Sequence, residues 1–170
     1  MAMRKGERDA IAVAAMAQVG ASLGRVLDDA VRRARGLTLN QHHVLVALRR
    51  AGDAGLEPRQ IAVAIGSGSA HVTILLDQLE KAGLVERRPH PTDRRRRQVV
   101  LTRQGAEQVE ATVAAVEMAA QGVMARAVGV DVGQLMGIAA AFDEAIGDVG
   151  GPARGDGPAT TSRRPIPGGR

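Results

Sequence analysis

The sequence has no cysteine, tryptophan or tyrosine, and its single aromatic residue is Phe142. The lack of cysteine excludes disulfides, thiolate metal sites and redox sensing by a thiol. The lack of aromatic side chains excludes base stacking as the main way of holding unpaired nucleotides, because such binding needs aromatic platforms. A protein that binds single-stranded nucleic acid is therefore disfavoured.

Long apolar runs are also missing from the sequence. No run approaches the roughly 20 residues that cross a membrane. Acidic residues, Glu7 and Asp9, precede the alanine-rich opening of the chain, which is unlike a signal peptide. We expect a cytoplasmic protein without a membrane partner, and its 170 residues suffice for one modest domain with a real core.

One short segment, in contrast, is crowded with arginine. The stretch from Glu86 to Arg97 holds six arginines against two acidic residues, a net charge of +4 in a chain whose total is +5. Residues 149–170 contribute a further +3, so the remaining residues sum to −2. Positive charge concentrated in this way is typical of a surface that docks on a phosphate backbone, and the scarcity of aromatic residues favours duplex DNA.

Apolar residues at helical spacing predict six helices. We expect them over Asp9–Arg35, from Thr38 to about Arg50, from Pro58 to Ile65, from the residue after Gly68 to Lys81, from Thr102 onward and from Asp131 onward. The expected caps are Thr38 with Gln41, a left-handed Gly83, and Asp131 with Gln134. On the sixth helix the apolar side chains expected to face inward are Leu135, Ile138, Ala139, Phe142 and Ile146.

Between Gly83 and Thr102 the pattern changes from helix to two strands. Leu84 and Val85 lead into the arginine-rich tip, and Val99 to Leu101 lead out of it. Two helices separated by a tight Gly/Ser turn and followed by a hairpin predict a winged helix-turn-helix. The expected fold class is therefore mainly α with a small β-hairpin wing, with the winged unit flanked by terminal helices.

Five short motifs follow one another in the middle of the chain. They are Leu37-Thr38-Leu39-x-Gln41, Leu79-Glu80-Lys81-x-Gly83-Leu84-Val85, Arg87-Arg88-Pro89, Asp93-Arg94-Arg95 and Leu101-Thr102-x-x-Gly105. Their succession, over roughly residues 37–110, resembles the MarR family of transcriptional regulators. The resemblance implies a repressor that binds double-stranded DNA without a cofactor. Because the family often binds small anionic aromatic molecules, it also implies release by a small-molecule effector, whose identity is unknown.

The resemblance further implies a homodimer on a pseudo-palindromic operator, with the first, fifth and sixth helices of two subunits interlocked. The apolar pattern also indicates a dimer, because a small winged unit cannot cover the apolar stripes of two long terminal helices. The expected parts of the chain are an N-terminal dimerisation helix (1–36), a DNA-binding winged helix-turn-helix (37–102), C-terminal dimerisation helices (103–148) and a disordered basic tail (149–170).

The helix after Gly68 corresponds to the helix that the family places in the major groove. The DNA-contacting residues expected on this helix and in the turn before it are Ser67, Ser69, Ala70, His71 and Thr73. The sequence departs from the family pattern here, because no lysine or arginine occurs from Gly66 to Glu80. The bidentate contact of arginine with guanine is therefore not available from this helix, and the wing is expected to carry more of the affinity.

In the wing, the expected DNA-binding residues are Asp93, Arg94, Arg95, Arg96 and Arg97. The resemblance implies that Asp93 fixes one arginine while Arg95 reaches into the minor groove. Strand alternation would turn Arg95 and Arg97 to one side and Arg94 and Arg96 to the other. We expect Arg95 to contribute most, with Arg94 and Arg97 as phosphate contacts.

Other interpretations of the polar residues are weaker. Ser69, His71 and Asp77 do not share a helical face, so no catalytic site and no enzyme is predicted. The adjacent His42 and His43 point about 100° apart on a helix, so no metal site is predicted. Each of these histidines is expected at the helix surface, or in a cavity between the dimer helices and the winged unit. The alternative function is a winged-helix protein–protein interaction module with only non-specific DNA binding.

Overall fold

The computed structural model describes residues 4–90, 93 and 96–150 of the chain. The helices are α1 (Lys5–Arg35), α2 (Leu39–Ala51), α3 (Pro58–Ala64), α4 (Ser69–Lys81), α5 (Arg103–Met124) and α6 (Val132–Gly150), and the strands are β1 (Val85–Pro89) and β2 (Arg97–Leu101). The predicted fold class, mainly α with a small β-hairpin wing, is confirmed. Two boundaries differ, because α1 begins before Asp9 and α6 continues past residue 148; most of the predicted tail, residues 151–170, lies outside the described residues.

Local capping signals form as expected. Thr38 accepts a hydrogen bond from the amide of Gln41, whose side chain accepts one from the amide of Thr38, which completes a capping box. Gly83 follows α4 with φ of +71°, a left-handed conformation that glycine adopts without steric cost. These signals set where the helices around the wing begin and end, because each depends only on neighbouring residues.

The core of the winged unit lies between α2, α3, α4, the hairpin and the first turns of α5. Its innermost side chains are aliphatic and fully buried: Val44, Leu45, Leu48, Ile61, Val72, Leu76, Leu79, Val99 and Val109. Helices α2 and α4 each contribute residues three or four positions apart, which places them on one face. This packing fixes α4 against the two strands.

The hairpin is joined to the rest of the unit at two tight points. Leu56, just before α3, forms an isolated antiparallel bridge with Val99 of β2, a contact that sequence periodicity did not predict. Gly105 in α5 packs directly on the chain before β1, since a Cβ there would lie 2.0 Å from the carbonyl oxygen of Leu84. The glycine of the Leu101-Thr102-x-x-Gly105 motif is therefore required by a close backbone approach.

Helix α1 carries an apolar surface that this chain leaves uncovered. Among the stripe predicted from its sequence, only Val31 is fully buried, while Ile11, Val19, Leu23 and Val26 are exposed. By length and composition α1 passes the test for a membrane-crossing helix, with a mean hydropathy of 1.5 and none of the 18-residue window buried. The expectation that no run approaches a membrane span is therefore wrong for α1. One such helix is weak evidence for a span, and α3 with α4 passes only as a pair bent by 109°.

Two compact units make up the chain, Met1–Arg126 and Ala127–Arg170, and α6 belongs to the second. Most of the α6 side chains expected to face inward, namely Leu135, Ile138, Ala139 and Ile146, are exposed, and only Phe142 is half-buried. These side chains are therefore open within this unit, and the expected cover of the terminal helices is a second subunit. An amphipathic pattern specifies an apolar face, but it does not specify which chain covers that face.

Candidate nucleic-acid interface

The outer face of α4 carries the polar residues that the sequence analysis selected. Ser69, His71 and Thr73 are all exposed, while the opposite face of the helix enters the core. Ala70 is exposed beside them, and so is Ile74, which is 55% exposed. This face therefore presents hydroxyl, imidazole and methyl groups without a cationic side chain.

The start of α4 is open to an anion. Gly68 occupies the N-cap position in an extended conformation and provides no side-chain cap, and Ser67 before it is half-buried. The first amides of a helix, here those of Ser69 and Ala70, lack intrahelical acceptors and lie at the positive end of the helix dipole. Such an end is suited to a phosphate group.

Two side chains at the start of α2 contact α4, and sequence reasoning missed both. The side-chain amide nitrogen of Asn40 lies 3.3 Å from Nε2 of His71. The side-chain amide of Gln41 donates to Oε1 of Gln78 at 3.0 Å. The only sequence signal was the capping box, which places Asn40 and Gln41 in the first turn of α2. Their proximity to α4 depends on how α2 and α4 pack, which periodicity does not specify.

Arginines at the base of the wing are ion-paired with carboxylates. Arg87 donates to Asp77 at 2.5 Å and to Glu80 at 2.7 Å, so that one guanidinium spans two acids on consecutive turns of α4. Arg88 pairs with Glu86 on the same strand. The two contacts of Arg87 orient the wing relative to α4, as a planar guanidinium group does when two acceptors are available.

Near the tip, Arg96 pairs with Glu57, the residue before α3. When Glu57, Asp77 and Glu80 are counted with the hairpin, the local net charge falls from +4 to +1. The count of +4 includes only the acids within the hairpin, whereas the fold brings three more carboxylates to the arginines.

Of the remaining wing residues, the structure describes two and leaves two outside its described ranges. Arg97 is exposed, and no ion pair of its guanidinium is found within the described part of the chain. Asp93 is half-buried, and its carbonyl oxygen accepts a hydrogen bond from the amide of Arg96 at 2.9 Å. Arg94 and Arg95 lie outside the described residues, so their assignment rests on the sequence alone.

The two histidines of the His42-His43 pair lie in different surroundings, and His43 is exposed at the surface of α2, as expected. His42 is buried, with 5% exposed, and it contacts Thr112 of α5, so a position at the helix surface is wrong for it. A cavity of about 610 Å³ lies between α1, α2 and α4, and neither histidine lines it. His43 instead lines a second cavity, of about 560 Å³, with Leu56 and Ile65.

The larger cavity has mixed polarity. Asp28 and Arg32 of α1 face Leu39, His71 and Ile74 across it. The Asp28 carboxylate accepts a 2.7 Å hydrogen bond from the Leu39 amide and a 2.5 Å bond from Arg32, and these two contacts, in that order, lower the pKa of Asp28. A link between α1 and the start of α2 thus forms one wall of the cavity. Among the described residues, no three acidic or histidine side chains are grouped to hold a metal ion.

Comparisons with known proteins agree with this geometry. The model of the MarR family matches residues 37–96. The transcriptional repressor MprA of Escherichia coli (strain K12) is 32% identical over 75 residues, which cover 44% of this chain and 43% of MprA. The HTH-type transcriptional repressor YetL of Bacillus subtilis (strain 168) is 36% identical over 76 residues, 45% of this chain and 46% of YetL. The chain thus spans less than half the length of these curated relatives.

Solved structures extend the likeness beyond the winged unit. The MarR family transcriptional regulator Sco3205 from Streptomyces coelicolor, solved in complex with DNA, matches with a TM-score of 0.75 at 18% identity, over 92% of this chain and 94% of that one. At this identity the match establishes the fold, including the terminal helices. Residues 37–96, which include the helix-turn-helix and the first strand of the wing, are thus the part of this chain that is similar to the MarR family.

Proposed function

We propose that this chain is a sequence-specific, double-stranded DNA-binding transcriptional regulator that acts as a homodimer on a pseudo-palindromic operator. The observation that carries the proposal is the exposed polar face of α4, which has an open N-terminus and lies beside a paired hairpin. Repression is the proposed mode, since the curated relatives MprA and YetL are named as repressors. Because these relatives are regulators, no catalytic role is assigned.

In the proposed complex, α4 enters the major groove of the duplex. Ser69, His71 and Thr73 face base edges, and the amides of Ser69 and Ala70 hold a phosphate. Arg97 contacts the backbone from the wing, and Arg95 reaches into the adjacent minor groove, where narrow A·T segments attract guanidinium groups. Replacing Arg95 by alanine is expected to weaken operator binding by about 1–3 kcal/mol without dissociating the dimer.

The dimer is proposed from the uncovered side of α1. Leu23 and Val26 are exposed there, and a Cβ added at Gly20 or Gly24 would meet no atom of this chain within 4 Å, which leaves room for a second copy. Leu23→Glu is expected to convert the dimer to a monomer in light scattering at micromolar concentration. Gln18→Glu adds the same charge at an exposed polar position of α1 and is expected to leave the dimer intact. A wild-type monomer would contradict the proposal.

A small-molecule effector belongs to the same proposal, and the cavity between α1, α2 and α4 is its proposed site. The cavity touches both α1 and His71, so a ligand there would bind one arrangement of the two helices better than another. Compounds that raise the melting temperature and also release DNA would support this assignment. Compounds that raise the melting temperature but leave the DNA bound would point to a different output. A cytoplasmic location is proposed as well.

A gel shift on the DNA upstream of its own gene, with and without heparin competitor, tests the central proposal. We expect a shift that survives heparin for that duplex and not for an unrelated one, and an affinity that falls steeply with salt. A protein–protein interaction module is the second candidate, because the structure neutralises Arg87, Arg88 and Arg96 within the protein. The absence of any sequence-selective shift would favour that candidate.

A further inference from the structure

One carboxylate connects the wing, at the residue just before β2, to the start of α3. Glu57 forms an ion pair with the guanidinium of Arg96, and its Oε1 lies 3.9 Å from Nε2 of His90 at the end of β1. The side chain of Glu57 is only 20% exposed, whereas that of Arg96 is 53% exposed. The acid is therefore the embedded partner, and the arginine reaches down to it from the wing.

Backbone contacts fix both members of the pair. The Glu57 amide donates to Oε1 of Gln60 at 2.8 Å, which holds Glu57 at the N-cap of α3. On the wing, the Arg96 amide donates to the Asp93 carbonyl at 2.9 Å, and the His90 amide donates to the Arg96 carbonyl at 3.1 Å. The ion pair thus connects two locally ordered segments that are far apart in sequence.

Glu57 also sits next to the bridge between Leu56 and Val99, the backbone contact that joins this loop to β2. Two consecutive residues before α3 therefore hold the hairpin, one through its backbone and one through its carboxylate. The bridge restrains the inner half of β2, and the ion pair restrains the residue just before β2 begins. A hairpin with both restraints has less freedom to swing than one held only at its base.

Resting on the proposed function, we infer that Glu57 is a positioning residue for DNA binding, which holds the wing through Arg96. Arg96 is then a structural anchor and not the DNA contact expected from the sequence. A guanidinium engaged by a carboxylate would have to give up that partner to bind a phosphate. Its neighbour Arg97, in contrast, is exposed and has no ion pair within the described part of the chain.

Removing the anchor has two consequences that can be measured separately. Glu57→Gln frees Arg96, so affinity for any duplex should rise, and the slope of log K against log salt should steepen by up to about 0.9, the value for one added phosphate contact. The wing also loses its fixed position, so the preference for the selected duplex should fall about two- to fivefold, the range of an exposed ion pair. If Glu57 only stabilised the fold, Glu57→Gln would lower the affinity for the selected duplex and for other duplexes together.

A matched pair of variants separates the anchor from a true contact. Glu57→Gln combined with Arg96→Gln removes both charges, so the net charge is unchanged; we expect the wild-type salt slope with reduced sequence preference. Arg97→Gln removes one exposed charge next to it, and its slope is expected to fall by about 0.9. Arg96→Lys, which retains the ion pair, should keep the preference near that of the wild type.

The measurement uses the full chain, a duplex selected from a random library by the wild-type protein, and an unrelated duplex of the same length. A double variant whose slope falls as much as that of Arg97→Gln would overturn the inference, and so would a Glu57→Gln variant with unchanged preference. Thermal unfolding checks that the variants are folded. If the wild type selects no duplex, the proposed function fails; if it does and the variants behave like it, only this inference fails.

Discussion

His42 and Thr112 are hydrogen-bonded across the buried contact between α2 and α5, with Nδ1 and Oγ1 2.9 Å apart. The hydroxyl oxygen of Thr112 also lies 3.0 Å from the carbonyl oxygens of Gln108 and Val109, which can only accept. The one hydroxyl proton of Thr112 can go to a carbonyl or to Nδ1, so the direction of the bond to His42 depends on the tautomer of the imidazole. This bond joins the winged unit to the long helix α5.

The burial of His42 predicts a loss of stability in mild acid. Desolvation, and secondarily the neighbouring His43, lowers the pKa of His42 below its ordinary value of about 6.5. The unfolded chain then binds more protons than the folded one as the pH falls below about 6.5, so the free energy of unfolding decreases from there towards the folded-state pKa. Urea unfolding at a series of pH values should show this decrease in the wild type.

His42→Gln keeps a side chain that can donate to Thr112 but does not titrate, so its stability should depend less on pH over the same range. His71→Gln provides the control, because the imidazole of His71 is exposed on α4. It measures how far a histidine-to-glutamine exchange by itself changes the free energy of unfolding. Parallel profiles for the wild type and His42→Gln would show that the buried imidazole does not cause the acid sensitivity.

Thr112→Val tests the same bond at neutral pH. Valine has nearly the same shape as threonine but has no hydroxyl group, so Nδ1 of His42 would be buried without a partner. A loss of about 1–3 kcal/mol in the free energy of unfolding is expected. Thr73→Val on α4 is the matched control; its hydroxyl bonds the Ser69 carbonyl at 3.0 Å in an exposed position, and a change within about 0.5 kcal/mol is expected.

The features that sequence reasoning predicted are local ones. Thr38, Thr102 and Asp131 cap their helices because the amides they accept from lie three residues ahead in the chain. The left-handed Gly83 likewise depends on where α4 stops. Helical and strand periodicity was then enough to predict the fold class, because the spacing of apolar residues indicates which of them share a face.

The features that sequence reasoning missed depend on contacts between distant segments. The net charge around the hairpin is lower than its own sequence indicates, because Glu57 before α3 pairs with Arg96 and Asp77 of α4 pairs with Arg87. His42 is buried because α5 returns to α2 seventy residues later. The exposed side of α1 was predicted as a stripe, but a stripe does not reveal which part of it the same chain covers. Propensity and spacing contain none of this information.

Gly105 should be among the least replaceable residues of α5. A methyl group there would approach the Leu84 carbonyl oxygen to 2.0 Å and Cδ2 of Leu101 to 3.1 Å, so the backbone before β1 would have to move. Gly105→Ala is expected to destabilise the fold by about 1–3 kcal/mol, as overpacking does. Chemical denaturation would measure this change.

Gly122→Ala on the same helix is its control. The nearest atom to a Cβ at Gly122 is Nη1 of Arg126 at 3.7 Å, an ordinary contact. Alanine is there expected to stabilise the protein by up to about 1 kcal/mol, because glycine is the poorer helix former. Equal effects of the two substitutions would mean that the close approach at Gly105 is relaxed in solution.

His71 should determine base preference at one position of each half-site. The side-chain amide nitrogen of Asn40 lies 3.3 Å from Nε2 of His71, so in the proposed complex Nδ1 is the ring nitrogen left to donate to a base. Major-groove acceptors are purine N7, guanine O6 and thymine O4. His71→Ala is therefore expected to lose about 1–3 kcal/mol of binding free energy at that position only, and Asn40→Ala to weaken the base preference there by less.

Selection of duplexes from a random library by each variant would measure this change, with Thr73→Val as the reference for a neighbouring position. A uniform loss across all sequences would make His71 a phosphate contact, because phosphates are the same at every base pair.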